Sequence, residues 1–149
     1  MIRYFIYFVF LNIVFVFNCS ADELRVTSDN LEVDRKNKIS IFSGNVYANN
    51  ADIEIWSEML IIKYNEDESG IKQLNAKKSV KIINEGITAT GTIGEYYPDN
   101  DTLNLYGEVV VLENNNYVKC DELYLDLKNS TSIMKSVSSK RVEAYIVNN

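Results

Sequence analysis

The sequence predicts an all-β chain, and three observations carry that prediction. Apolar and polar residues alternate at a period of two along most of it. Clusters of Asn, Asp and Gly separate the alternating runs at intervals of about 8–12 residues, the rhythm of short strands in a meander, sandwich or barrel. A single proline, Pro98, interrupts 149 residues rich in Tyr and β-branched side chains, which suits strands better than helices.

Taken in order, Leu24 and Val26 share one face, as do Leu31 and Val33, then Ile39 and Ile41. Ile53 and Ile55 follow, then Leu60, Ile62 and Tyr64, Val80 and Ile82, Leu103 and Leu105, and Val109 and Val111. Leu123, Leu125 and Leu127 continue the pattern, and Val142, Ala144 and Ile146 close it. Turn signals fall between the runs, at Asp34 to Asn37, Asn49-Asn50, Asn65 to Gly70, Asn84 to Gly86, Asp99 to Asp101, Asn114 to Asn116 and Asn129-Ser130. Ile39 and Ile41 lie on one parity, whereas Phe42, Gly44 and Val46 lie on the other. A bulge near Ser43-Gly44 would bring both sets into one interior. Gly107 needs no such bulge, because Leu103, Leu105, Val109 and Val111 share a parity.

The chain also repeats itself at a spacing of 63 residues. Gly44 and Val46 return as Gly107 and Val109; Glu58, Leu60 and Ile62 return as Asp121, Leu123 and Leu125. Lys77-Lys78 returns as Lys140-Arg141, and with a one-residue slip Val80 and Ile82 match Val142 and Ala144. Turn, phase and charge recurring together point to two stacked copies of one supersecondary unit. Stacked units leave backbone edges unpaired at both ends. Those edges are expected to join partners end to end by strand addition; a terminus folded over the edge is the competing reading.

Residues 1–21 read as a secretory leader. Arg3 precedes an apolar stretch from Phe5 to Phe17, and Cys19-Ser20-Ala21 supplies small residues for cleavage after Ala21. A retained anchor and lipidation at Cys19 are the rival readings. Residues 22–149 then form one domain, with Cys120 as its one thiol and no internal disulfide.

The net charge of −6, or −7 once Arg3 leaves with the leader, argues against nucleic acid. The chain has no histidine, which removes Ser-His-Asp and Cys-His catalysis and His-based zinc sites. The acidic runs Glu66-Asp67-Glu68 and Asp121-Glu122 read as solvated carboxylates, and Asp99-Asn100-Asp101 as a β-turn after Pro98 rather than a calcium loop. No catalytic residue, metal site or cofactor is expected.

An ordered series of short motifs carries a family resemblance. It begins Val26-Thr27-Ser28-Asp29-Asn30-Leu31, Phe42-Ser43-Gly44-Asn45-Val46, Ala51-Asp52-Ile53-Glu54-Ile55 and Ser57-Glu58-Met59-Leu60. It continues with Ala89-Thr90-Gly91, Leu105-Tyr106-Gly107-Glu108-Val109, Lys119-Cys120-Asp121-Glu122-Leu123 and Lys140-Arg141-Val142. Together these resemble the periplasmic lipopolysaccharide-bridge family, LptA or OstA-like, across essentially the whole chain after the leader.

The resemblance implies a V-shaped antiparallel β-jellyroll, open at both ends, that stacks head to tail. Such a protein links inner-membrane and outer-membrane transport components while lipid A acyl chains lie in its apolar interior. A membrane-anchored sister component of the same pathway, LptC-like, shares the fold and is an alternative. A structural β-sandwich with a filled core is another. The chain is short for the family, so fewer strands are expected. The resemblance places first-strand lipid contacts at Leu24 and Val26. One family interior aromatic falls on Val80, which is aliphatic here, and another on Tyr96, which is retained.

The inward positions of the alternation become candidates for the groove: Leu24, Val26, Leu31, Val33, Ile41, Val46, Ile53, Ile55, Leu60 and Ile62. Val80, Ile82, Tyr96, Leu105, Val109, Leu123 and Leu125 complete the set. Burying a methylene is worth about 0.8 kcal/mol, so a long acyl chain stands to gain on the order of 10 kcal/mol from such walls. Lys77, Lys78, Lys140 and Arg141 are candidates for a rim that meets head-group phosphates, with solvated strand-end charge as the competing reading.

Overall fold

A computed structural model describes residues 23–137 and 139–147. The expected leader and its cleavage site lie outside the described residues. Among the described residues ten strands form one antiparallel sheet that does not close. They are β1 (Arg25–Thr27), β2 (Asn30–Asp34), β3 (Ile39–Asn49), β4 (Ile53–Tyr64) and β5 (Ile71–Asn84), followed by β6 (Ile87–Tyr97), β7 (Thr102–Glu113), β8 (Asn116–Asp126), β9 (Thr131–Lys135) and β10 (Glu143–Tyr145). Strands β3 to β8 run as a meander, each hydrogen-bonded to the next. Short strands β1 and β2 share the outer edge of β3, and β9 and β10 share the outer edge of β8. Among the described residues no helix is long and apolar enough to cross a membrane.

Turn chemistry sets the hairpins where the sequence placed them. Asn50 Oδ1 accepts the backbone N–H of Asp52 and of Ile53, closing the β3–β4 turn. Asp34 and Asp126 each accept from the Asn three residues later, Asn37 and Asn129, in matching turns. The Asp99 to Asp101 run is the tip of a turn in which Asp101 N–H donates to the Pro98 carbonyl.

Every long strand bends at its middle, and the bends line up into a crease. On β3, β5 and β7 the bend consumes two residues with positive φ: Gly44-Asn45, Lys78-Ser79 and Gly107-Glu108. On the even partners it consumes one, Glu58, Thr92 and Asp121. Two residues against one is the β-bulge count.

The expectation that Gly107 needs no bulge is therefore corrected. A two-residue step returns the chain to the same parity, so Leu103, Leu105, Val109 and Val111 stay on one face across a real bend. The even strands flip parity instead, from Ile53, Ile55 and Ser57 to Leu60, Ile62 and Tyr64 on β4.

The crease folds the sheet into a V with two arms facing each other. A Cβ built on Gly94, in one arm, would lie 3.1 Å from Val80 Cγ1 and 3.5 Å from Ile82 Cδ1 in the other. At Gly91 it would lie 2.8 Å from Leu105 Cγ, so the arms meet here too closely for any side chain. Near the crease the interior is filled. Leu60, Leu103, Leu105, Leu123, Val46, Val80 and Val109 are all under 2% exposed, each worth about 1.5–3 kcal/mol of apolar burial.

The 63-residue repeat is genuine for the bends, because Gly44-Asn45 and Gly107-Glu108 occupy equivalent places. It misassigns the basic pairs. Met59 pairs with Lys77, and its repeat mate Glu122 pairs with Lys135, so Lys135 is the spatial mate of Lys77. Four positions separate Lys77 from Lys81, but eight separate Lys135 from Glu143 at the matching ladder sites. Lys140 and Arg141 belong to that surplus.

Candidate functional site

Toward the open side of the V the arms diverge and leave a groove of about 690 Å³, within the roughly 300–1,000 Å³ usual for small-molecule sites. One wall carries Leu24, Ala48, Ile53, Ile55, Ile82, Ile87 and Ala89; the facing wall carries Ile71, Leu74, Tyr96, Leu125 and Leu127. Period-two alternation delivers these side chains to one face. The ladder aligns them in rows across the sheet: Val26, Ala48, Ile55, Ile82, Ala89 and Val111 are successive register partners in one arm.

Of the candidate lining residues, Leu24, Ile53, Ile55, Ile82, Tyr96 and Leu125 border the groove. Val46, Leu60, Ile62, Val80, Leu105, Val109 and Leu123 lie in the buried cluster beneath it, and Val26 packs against that cluster. Leu31 and Val33 register with Phe42 and Ser40 and so share the inner face. They sit on the free edge, 57% and 56% exposed.

Ile41 is a correction. Its neighbours Ser40 and Phe42 point inward, Ser40 buried and Phe42 against the core. Ile41 therefore faces outward beside Glu32 and Ile61.

The basic residues stand away from the groove. Lys78 is at the crease, and Lys77 is on the outer face opposite Met59 and Ile93. Lys140 Nζ lies 3.3 Å from Asp121 Oδ1, also at the crease. None of Lys77, Lys78, Lys140 or Arg141 borders the groove, because the bend that exposes them lies on the opposite side of the V from its mouth.

The mouth carries different chemistry. Asn50, Asp52, Asn84 and Glu85 come from one arm, Asp101 and Asp126 from the other. Asn84 Nδ2 donates to the Asp52 carbonyl at 3.0 Å, tying two turns together. The Tyr96 hydroxyl donates to Asp101 Oδ1 at 2.9 Å, which fixes the ring in the wall. The side chain and backbone N–H of Asn129 hold the Asp126 carboxyl below its ordinary value of 3.8. Sequence reasoning missed the small wall residues Ala48 and Ala89, whose size gave little signal. It also left out Leu127, although that residue extends the Leu123, Leu125 alternation. Cys120 is buried in the floor, and burial raises its thiol above the ordinary value. Among the described residues no group of three or more His, Cys, Asp or Glu side chains converges on a metal position.

The family described as LptA/(LptD N-terminal domain) LPS transport protein matches residues 25–131, from β1 to the first residue of β9. The chain belongs to that family. Its description is that of transport proteins rather than enzymes. The crystal structure of LptH, the LptA homologous periplasmic component of the lipopolysaccharide transport device of Pseudomonas aeruginosa, superposes with a TM-score of 0.76. The two share 15% identity, and the match covers 85% of this chain and 96% of LptH. The LptA-type β-jellyroll expected from the sequence is thus the observed fold. A search of curated proteins gives no match.

Proposed function

We propose that this LptA-family chain carries lipopolysaccharide through the periplasm, with the acyl chains lying in the groove between the two arms. The observation that carries the reading is the apolar groove itself, set in an unclosed sheet of a lipopolysaccharide-transport family. Its walls offer methylene burial without shape-specific contacts, which suits a cargo that must slide. The floor near the crease acts as a rigid spine, and the lipid rests on it.

The free edges β1–β2 and β9–β10 supply the joints. Strand addition at either edge would continue the inner rows into a neighbouring copy, or into inner-membrane and outer-membrane components, without a break in the trough. The leader is removed after Ala21 in this reading.

A photo-crosslinking residue at Ile55 or Leu125, with Glu95 on the outer face as control, tests the proposal in cells that make lipopolysaccharide. Lipid adducts at the two wall positions alone are expected. Adducts at none of the three, with the protein folded, would favour a β-sandwich that serves assembly only.

A further inference from the structure

The two edges of the sheet match in length and oppose each other in charge. Strands β1 and β2, of three and five residues, lie along β3; β10 and β9, also of three and five residues, lie along β8. From Arg25 to Asp34 the first edge carries one cation, Arg25, and three carboxylates, Asp29, Glu32 and Asp34. From Thr131 to Tyr145 the last edge carries three cations, Lys135, Lys140 and Arg141, and one carboxylate, Glu143.

Direction and facing also agree. The first edge runs antiparallel to β3 and the last edge antiparallel to β8, so the first edge of one copy would lie antiparallel to the last edge of another. Ladder rows cross the sheet from edge to edge. The inner row that begins at Leu31 ends at Met134, and the one that begins at Val26 ends at Ala144. On the outer face the row from Asn30 ends at Lys135 and the row from Thr27 at Glu143. Carrying the rows into a next copy sets its Glu32 one diagonal step from Lys135 and its Arg25 one diagonal step from Glu143, within reach of long side chains. Asp29 is held at the crease, where its N–H donates to the Gly44 carbonyl and Asn45 Nδ2 donates to its carboxylate. It would meet the crease stretch that holds Lys140 and Arg141.

From this complementarity we infer that charge locks the joint between copies of this chain. Lys135 pairs with the next copy's Glu32, Glu143 with its Arg25, and Lys140 and Arg141 with its Asp29. The pairs fix the register that keeps the inner rows continuous. They also fix polarity, because a joint between two like edges would set Lys140 and Arg141 against themselves, or Asp29 against itself. Contacts within the chain leave these groups accessible. Arg25 is exposed 3.9 Å from Glu23, and the Lys140 side chain stays 67% exposed beside Asp121. Asp34 takes no part, since its carboxylate is committed to the turn with Asn37. The inference rests on joining by strand addition and deepens it.

The test follows the mass of the purified chain against concentration at low and high salt. Wild type should grow in mass with concentration, less so at high salt. Lys135→Glu and Glu32→Lys should each weaken association about fivefold. An equal mixture of the two variants should recover wild-type growth, because the altered edges complement each other and the unaltered edges remain matched. Recovery also shows that both variants are folded. Register is read by oxidation in a Cys120→Ala background. Leu31→Cys with Met134→Cys should give a ladder of linked species beyond the dimer, since facing residues on paired strands lie within disulfide reach. Val33→Cys with Met134→Cys, one diagonal step out of register, should give little. If either charge reversal associates like wild type, if the mixture does no better than its parts, or if the shifted cysteine pair links equally well, the charge lock is overturned while strand addition stands. If wild type keeps one mass at every concentration and no ladder forms, joining between copies falls and the lock with it, leaving the groove reading untouched.

Discussion

The two ends of the V's cross-section are built from the same alternating strands yet differ in kind. At the crease Leu60, Leu105 and Val109 are fully buried, and the arms touch at Gly91 and Gly94. At the mouth the same rows end in Ile87, Leu127 and Tyr96 around open space. Strand pattern alone does not decide between a filled core and a groove. The angle of the bend decides, and the positive-φ pairs on β3, β5 and β7 set that angle.

The sharpest way to break this contrast is to empty the floor. Leu105→Ala should cost about 2–5 kcal/mol in urea or thermal unfolding, since a packed floor closes poorly over a cavity. Leu127→Ala at the mouth should cost about 1 kcal/mol or less, because that side chain already borders open space. Equal losses would mean that the groove wall is as tightly packed as the floor.

The bend itself comes next. Gly107 has φ +83, and a Cβ there would meet Thr92 Oγ1 at 2.6 Å. Gly107→Ala should destabilise by roughly 1–3 kcal/mol. Gly86→Ala, at φ +82 in a turn with nothing within 4 Å, isolates the backbone strain at about 1 kcal/mol. Lys78 holds φ +65 without being glycine. Lys78→Gly should therefore stabilise by about 1 kcal/mol, with denaturant midpoints as the readout.

The smallest effect belongs to the last edge. The Val137 backbone N–H, followed by Lys140, holds the Asp121 carboxyl below its ordinary 3.8. A carboxyl depressed in the folded state adds stability above its unfolded value and loses it as pH falls through the folded one. Wild type should exceed Asp121→Asn in denaturant midpoint near neutrality, and the gap should close well below pH 3.8. An unchanged gap would show that the charge contributes nothing at this joint.

Much of this was legible beforehand. Alternation located most strands but gave no run for β6 or β9, the Asx clusters located the hairpins, and the phase break near Gly44 marked one true bend, whereas the one at Gly107 was not expected. Parity was the weak instrument. It registers a one-residue step such as Glu58 and is blind to a two-residue step such as Gly107-Glu108, so half of the crease was invisible. The inward assignment for Ile41 came from reading a parity-changing bulge at Ser43-Gly44, whereas the step there spans the two residues Gly44 and Asn45, keeps the parity and leaves Ile41 outside. The acidic mouth was not legible either. Asp52, Glu85, Asp101 and Asp126 sit in four separate turns, and only the closing of two arms brings those turns around one opening.

The alternating step count also makes the molecule extensible. A unit of one two-residue step and one single-residue step restores both direction and facing, so appending such a unit to either edge repeats the profile unchanged. Width is fixed by the length of half a strand and span by the number of hairpins. A gutter of any length can be extruded from one template, and a chain with few hairpins is a short section of it.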